Sequence, residues 1–191
     1  SDIEHHQIMP TGSQPGVLYG VPKVHKNGAP MRPILSAIGT FNYSLAKYLV
    51  PLLAPLTTNA FTATDSFSVA AEIQRLLVPP NSVMASFDVA SLFTNIPVPE
   101  TIEVISELLF ADSTTFHGFS KKQFSKLLKF GASNNHFLFN GQLWDQIDGM
   151  AMGSPLGPTF ANIFMCHFEH RFLETCPRQF APLFYRRYVD D

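Results

Sequence analysis

The stretch RRYVDD, residues 186–191, sets Asp190 and Asp191 side by side directly after an aromatic and a β-branched residue. Adjacent carboxylates repel, so a pair at the tip of a hydrophobic run needs a bound cation or a tight turn between two strands. A matching signal lies upstream. SVMASFDV, residues 82–89, has the β-branched and aromatic content of a buried strand and carries Asp88 at its C-terminal end. PLFYRRYVDD likewise reads as a strand running into the acidic pair. If the two strands are neighbours in one antiparallel sheet, Asp88, Asp190 and Asp191 converge at one edge. An isolated aspartate at a strand end is ordinarily a turn residue, but three together make a site for hard divalent cations. Mg²⁺ takes one or two carboxylates and completes its shell with water and substrate phosphates. Two such ions clamp the attacking and leaving oxygens of a phosphoryl transfer.

Around these segments the chain mixes helices and short strands without βαβ alternation, which predicts an α+β fold with a small antiparallel sheet packed on helices. KNGAPMRPI suits a hairpin whose positive φ angles fall on Asn27-Gly28. NYSLAKYLVPLL and DSFSVAAEIQRLL have helical apolar spacing, the second with Asp65 or Ser66 as N-cap. PETIEVISELLF predicts a helix with Pro99 and Glu100 in its first turn, and SKKQFSKLLKF one with a Ser120/Gln123 capping box. HFLFNGQLWDQI is the clearest hairpin, turning at Asn140-Gly141, with Asp145 and Asp148 serving it and its exit turn. TFANIFMCHFEHRFLE places Phe160, Ile163, Phe164, Phe168 and Phe172 on one helical face. His167 and His170, which flank Glu169, read as its solvated side, and His5 and His6 as part of a polar terminus.

The 191 residues, 46% hydrophobic, are enough to bury a substantial core, and 18 phenylalanines predict aromatic surface left over for a partner. A net charge of −2 gives no bulk attraction to nucleic acid, so any such binding is local. The basic residues cluster as Lys23, Lys26 and Arg32, then Lys121, Lys122, Lys126 and Lys129, then Arg186 and Arg187. The second cluster reads as a solvated helix face. Cys166 and Cys176 are too few for a disulfide or zinc framework, and a reduced intracellular compartment is the default. Gly149 to Cys166 lacks charge, yet Gly153, Pro155, Gly157, Pro158 and Asn162 interrupt it, which argues against a membrane span. The chain opens SDIEHHQ, polar and without an initiator methionine, and so reads as an internal fragment without a signal peptide.

Four blocks carry a resemblance. SFDVASLFTNIP resembles motif A of reverse transcriptases, GMAMGSPLGPTFANIFM resembles motif B and YVDD resembles motif C, in that order. LYGVPKVHKNGAPMRPILS is similar to the fingers segment of Penelope-like retroelements. The resemblance implies a right-hand polymerase palm with part of the fingers, about 15–80 fingers-like and 81–191 palm. A thumb and any GIY-YIG endonuclease would lie outside the chain, and 191 residues alone would not extend a primer. The implied activity is RNA-directed DNA polymerisation with RNA template, DNA primer and dNTP as partners, and the implied location is the nucleus.

By the same resemblance Asp88 and Asp190 ligate two Mg²⁺ ions, with Mn²⁺ as a substitute, and Asp191 is the less critical member of its pair. Lys23 or Lys26, with Arg32, would grip the triphosphate as a point charge plus a guanidinium fork. Phe93, five residues after Asp88, matches the aromatic steric gate against a ribose 2′-hydroxyl. Met152, Gly153, Ser154 and Pro155 would face nucleotide or template, the glycines Gly153 and Gly157 allowing close backbone approach. Met152 stands where many reverse transcriptases have glutamine, so thioether packing replaces a side-chain hydrogen bond there. Two rival readings remain: a polymerase of group II intron or telomerase type, and a decayed, non-catalytic nucleic-acid-binding remnant.

Overall fold

Leu45, Ala46, Leu49 and Leu53 recur at helical spacing, and the segment that carries them forms α1 (Tyr43–Leu53), with all four buried. In the computed structural model, which describes residues 8–10, 13–133 and 136–191, this helix is one wall of the core. His5 and His6 lie outside the described residues. A 3₁₀ turn, Ala54–Leu56, extends α1. Next, α2 (Ser66–Arg75) starts where Asp65 accepts the N–H groups of Phe67 and Ser68 at 2.8 and 2.9 Å. Those bonds, Ser68 foremost, hold the Asp65 carboxyl below the usual carboxylate range.

A single turn, α3 (Leu92–Asn95), leads into α4 (Val98–Leu109), which has Pro99 and Glu100 in its first turn as expected. Ser120 and Gln123 form the expected capping box of α5 (Lys121–Ala132). Finally α6 (Leu156–Glu169) runs into a π-helical turn, His170–Glu174. Ile102 and Ile105 of α4, Phe124 and Leu128 of α5, and Leu156, Phe160 and Ile163 of α6 meet the face of α1 in one cluster. Each fully buried side chain of this size contributes about 1.5–3 kcal/mol of transfer free energy. Lys121, Lys122, Lys126 and Lys129 stay on the exposed side of α5, the solvated face expected. Of the predicted α6 face, Phe160 and Ile163 are buried, while Phe168 and Phe172 emerge into solvent with ring centroids 4.5 Å apart.

The main sheet has four strands in the order β2-β1-β5-β6. β1 (Gly16–Pro22) and β2 (Met31–Ser36) pair antiparallel, as do β5 (His136–Phe139) and β6 (Gln142–Asp145). β1 and β5 pair parallel through Gly16–Phe137 and Val17–Leu138, so the sheet is mixed rather than purely antiparallel. Asn140 and Gly141 take φ of 50° and 73°, the left-handed pair that a two-residue hairpin turn requires. The first hairpin differs in its turn: the positive φ angles fall on Gly28 and Ala29, because the loop spans eight residues and folds as successive turns closed by Lys26 N–H to Lys23 O and Ala29 N–H to Lys26 O. β3 (Thr115–Phe116) and β4 (Phe119–Ser120) form a separate two-stranded ribbon that feeds Phe116 against Phe124, centroids 5.2 Å apart.

The fold is α+β. Leu35 near the end of β2 and Ala37 just beyond it are buried, while Val17, Tyr19, Val21, Leu143 and Trp144 are solvent-exposed. The sheet therefore packs no whole face on the helices. The two strands expected at 82–89 and 182–189 are absent as ladders. Neither segment has a continuous hydrogen-bonded partner, only single contacts at Val89 and Arg187, and a strand exists only as part of a pair. Val83, Met84 and Phe87, expected to be buried, are 90%, 93% and 76% exposed. Arg187 makes an isolated parallel bridge to Thr62 instead.

Candidate functional site

The two acidic segments do lie side by side. The Val89 N–H donates to the Asp190 carbonyl at 2.9 Å, which brings Asp88 next to the acidic pair across one backbone bond. Residues 188–191 close a tight turn in which the N–H of Tyr188 donates to Asp191 O at 2.8 Å and that of Asp191 to Tyr188 O at 3.0 Å. Val189 sits at φ 59°, a left-handed conformation that costs a β-branched residue about 1–2 kcal/mol. A tight turn is therefore present at the acidic pair, although the expected strand leading into it is not.

A cleft of about 1230 Å³ opens over this turn, and every residue that the resemblance assigns to metal, nucleotide or template lines it except Gly157. Asp88, Asp190 and Asp191 come from the two extended segments, and Phe93 from α3. Lys23, Lys26 and Arg32 come from the β1–β2 hairpin, and Met152, Gly153, Ser154 and Pro155 from the loop before α6. Arg32 pairs with Val21 across the hairpin, and the Lys23 N–H donates to Pro30 O at 2.9 Å two register positions beyond, so Lys23 lies close to Arg32 along the hairpin while Lys26 lies in the turn. Tyr43 and Lys47 of α1 also line the cleft and were missed. Their signal was available: Lys47 is the one charge in an apolar helix, with Tyr43 four residues before it on the same face. The cleft thus carries Lys23, Lys26, Arg32 and Lys47 against three aspartates, a local charge separation that net charge conceals.

Gly153, besides lining the cleft, has a close neighbour within the chain. A Cβ built there would stand 2.3 Å from Leu35 O and 3.2 Å from the Ser36 Cα. The close backbone approach is made to β2, within the chain, so this glycine docks the hairpin onto the α6 loop. At Gly157 an added Cβ would lie 3.4 Å from Phe93 Cδ1, so Phe93 rests its ring on this glycine with one edge toward the core and one toward the cleft. Ser154, buried, receives the Leu156 N–H on its hydroxyl at 3.4 Å, and the Met150 N–H donates to Phe93 O at 2.8 Å. Gly153→Ala should cost about 1–3 kcal/mol or more, because the atom in the way is backbone and not a movable side-chain end. Equilibrium urea unfolding measures it; an unchanged midpoint would mean that the two segments separate freely.

Arg186 and Arg187, grouped as a basic cluster, do not face the cleft. Arg186 pairs with Glu72 at 2.8 Å, and Arg187 is buried against Glu169 at 2.6 Å. Glu169 is itself fully buried, so this side of α6 is not solvated between His167 and His170 as expected. Asp145 pairs with His136 across the β5–β6 hairpin, in keeping with a structural role.

No hydrogen bond or ion pair joins the side chains of Asp88, Asp190 or Asp191 to another described residue. Three carboxylates without a protein counter-charge, in one cleft with Lys23, Lys26, Arg32 and Lys47, are hard-oxygen donors that fit Mg²⁺ in kind. Among the described residues no three His, Cys, Asp or Glu side chains, these aspartates included, gather closely enough to hold a metal ion by themselves. Such a site would take the rest of its ligands from water and substrate phosphate, as Mg²⁺ sites in phosphoryl-transfer enzymes do. Among the described residues no helix is long and apolar enough to cross a membrane. Neither a protein-family model nor a curated protein matches the chain.

Proposed function

We propose that the chain is the palm and part of the fingers of an RNA-directed DNA polymerase, most similar to those of Penelope-like retroelements. The observation that carries this reading is the single cleft. Residues chosen from four separated blocks of sequence line one cavity, with acidic and basic groups both represented. The reaction is attack by a primer 3′-hydroxyl on the α-phosphate of a deoxynucleoside triphosphate, with pyrophosphate leaving. Asp88, Asp190 and Asp191 would hold two Mg²⁺ ions, which Mn²⁺ can replace. Bound there, the ions would neutralise developing charge on the attacking and leaving oxygens. Lys23, Lys26, Arg32 and Lys47 bind the triphosphate by charge, with Arg32 supplying the planar fork. The Met152–Pro155 loop and Phe93 orient base and sugar. Catalysis of this kind is mostly positioning and charge stabilisation, which accords with so few unusual side chains.

Primer extension on an RNA template by the full-length protein, with Mg²⁺ and dNTPs, tests the reading directly. Absence of template-dependent product from well-folded protein would refute it. Phe93→Ala adds a sharper arm. The ring excludes a 2′-hydroxyl by overlap and by leaving it without a hydrogen-bond partner, penalties that fall on ribonucleotides alone. The variant should raise ribonucleotide incorporation relative to deoxynucleotide incorporation more than it lowers total extension. Equal slowing of both substrates would make Phe93 a packing residue against Gly157 and nothing more.

A further inference from the structure

Arg187 is 2% exposed, and each of its five N–H groups has an acceptor. Nε donates to Glu169 Oε1 at 2.6 Å and Nη2 to Glu169 Oε2 at 3.3 Å, a two-point fork. Nη2 also reaches Cys166 Sγ at 3.6 Å, and Nη1 reaches Asn162 Oδ1 at 3.1 Å. Asn162, Cys166 and Glu169 lie on one face of α6, spaced four and three residues apart. The fifth bond runs from Nη1 to the Val189 carbonyl at 2.9 Å. The backbone of Arg187 is pinned as well, its N–H donating to Phe61 O at 2.9 Å and its carbonyl accepting from the Ala63 N–H at 2.8 Å. Glu169 accepts further bonds from Asn59 Nδ2 at 2.7 Å and from the Tyr185 hydroxyl at 3.2 Å. Burial pushes the Tyr185 hydroxyl up, with the Glu169 charge adding to it, so that hydroxyl keeps its proton and donates.

What this network grips is the strained residue of the acidic turn. A β-branched side chain at positive φ persists only where its surroundings over-determine it. We infer that Arg187 is the positioning residue of that turn. Clamped on α6 by Glu169, its guanidinium holds the Val189 carbonyl and so sets the direction in which Asp190 and Asp191 present their carboxylates to a divalent cation. This rests on the nucleotidyl-transfer reading of the cleft. It also joins two walls of the cleft, because α6 begins directly after the Gly153–Pro155 loop and ends at Glu169.

Mn²⁺ binding to the 191-residue chain, followed by the electron paramagnetic resonance of the free ion, tests the inference without turnover. A lysine ammonium cannot fork Glu169 and reach Val189 at once. Arg187→Lys should therefore weaken Mn²⁺ binding about 10- to 100-fold, the usual range for losing a group that orients a metal ligand. Adding Val189→Gly should restore the affinity to within roughly threefold of the parent, since glycine takes this φ without cost. Loss of core packing alone gives no reason for that rescue. If Arg187→Lys fails to fold, the paired change Arg187→Met with Glu169→Met leaves no uncompensated charge and carries the same expected loss and rescue. Parent-like Mn²⁺ affinity in a folded Arg187 variant, with binding still sensitive to Asp190→Asn, overturns the inference alone. So does a failure of Val189→Gly to restore binding. A parent chain whose Mn²⁺ binding is absent, or insensitive to Asp190→Asn, overturns the reading of the cleft and the inference with it.

Discussion

Asp190→Asn and Asp88→Asn are each expected to abolish Mg²⁺-dependent primer extension by the full-length protein while leaving its fold intact. The substitution is isosteric, so it opens no cavity and displaces no neighbour. Neither side chain has a hydrogen bond or ion pair with another described residue, so no structural contact is lost with the charge. What goes is one anionic oxygen donor from a set of three. With fewer carboxylates the clamp on the attacking and leaving oxygens weakens, and a loss of about 4 kcal/mol of transition-state stabilisation corresponds to roughly a thousandfold in rate. Asp191→Asn should be milder, since by resemblance it is the second member of its pair. Steady-state extension with a thermal melt as the folding control measures all three. Near-parental extension by either of the first two variants would move the active site elsewhere.

The meeting of Asp88, Asp190 and Asp191 in one cleft was legible because ordered blocks are written in residue type and spacing, although the strands expected to carry them do not form. Local signals were legible for the same reason. Asp65, the Ser120/Gln123 box and the Asn140-Gly141 turn each depend on atoms within a few residues, and each forms as read. Signals that depend on a distant partner were not. SVMASFDV has strand composition, but a strand is a property of a pair, and along this stretch the pairing shrinks to the single bond from Val89 to Asp190. Gly153 was legible as a close approach, yet which backbone approaches it depends on where β2 lies. The charge of Arg187 is visible in sequence, whereas its burial depends on Glu169 meeting it across 18 residues.

That buried pair carries the largest expected effect on stability. Arg187 and Glu169 are 2% and 0% exposed, and their desolvation is offset only while both are present with all their hydrogen bonds. Arg187→Met alone strands the Glu169 carboxylate, and Glu169→Met alone leaves a guanidinium buried without its counter-charge. The latter also removes the acceptor for Asn59 Nδ2 and the Tyr185 hydroxyl, two further donors in a water-poor site. The expected cost is about 3–5 kcal/mol, which for a chain of this size lowers the melting midpoint by roughly 6–20 °C. Removing both charges at once with Glu169→Met and Arg187→Met should cost far less, because apolar side chains of similar volume replace the pair without stranding either ion. The two single losses should therefore sum to much more than the double loss, the signature of strong coupling. Urea unfolding of the four chains measures that cycle. Additive losses would mean that the two residues stabilise the protein separately, and that the Val189 carbonyl is held by something other than a guanidinium clamped on α6.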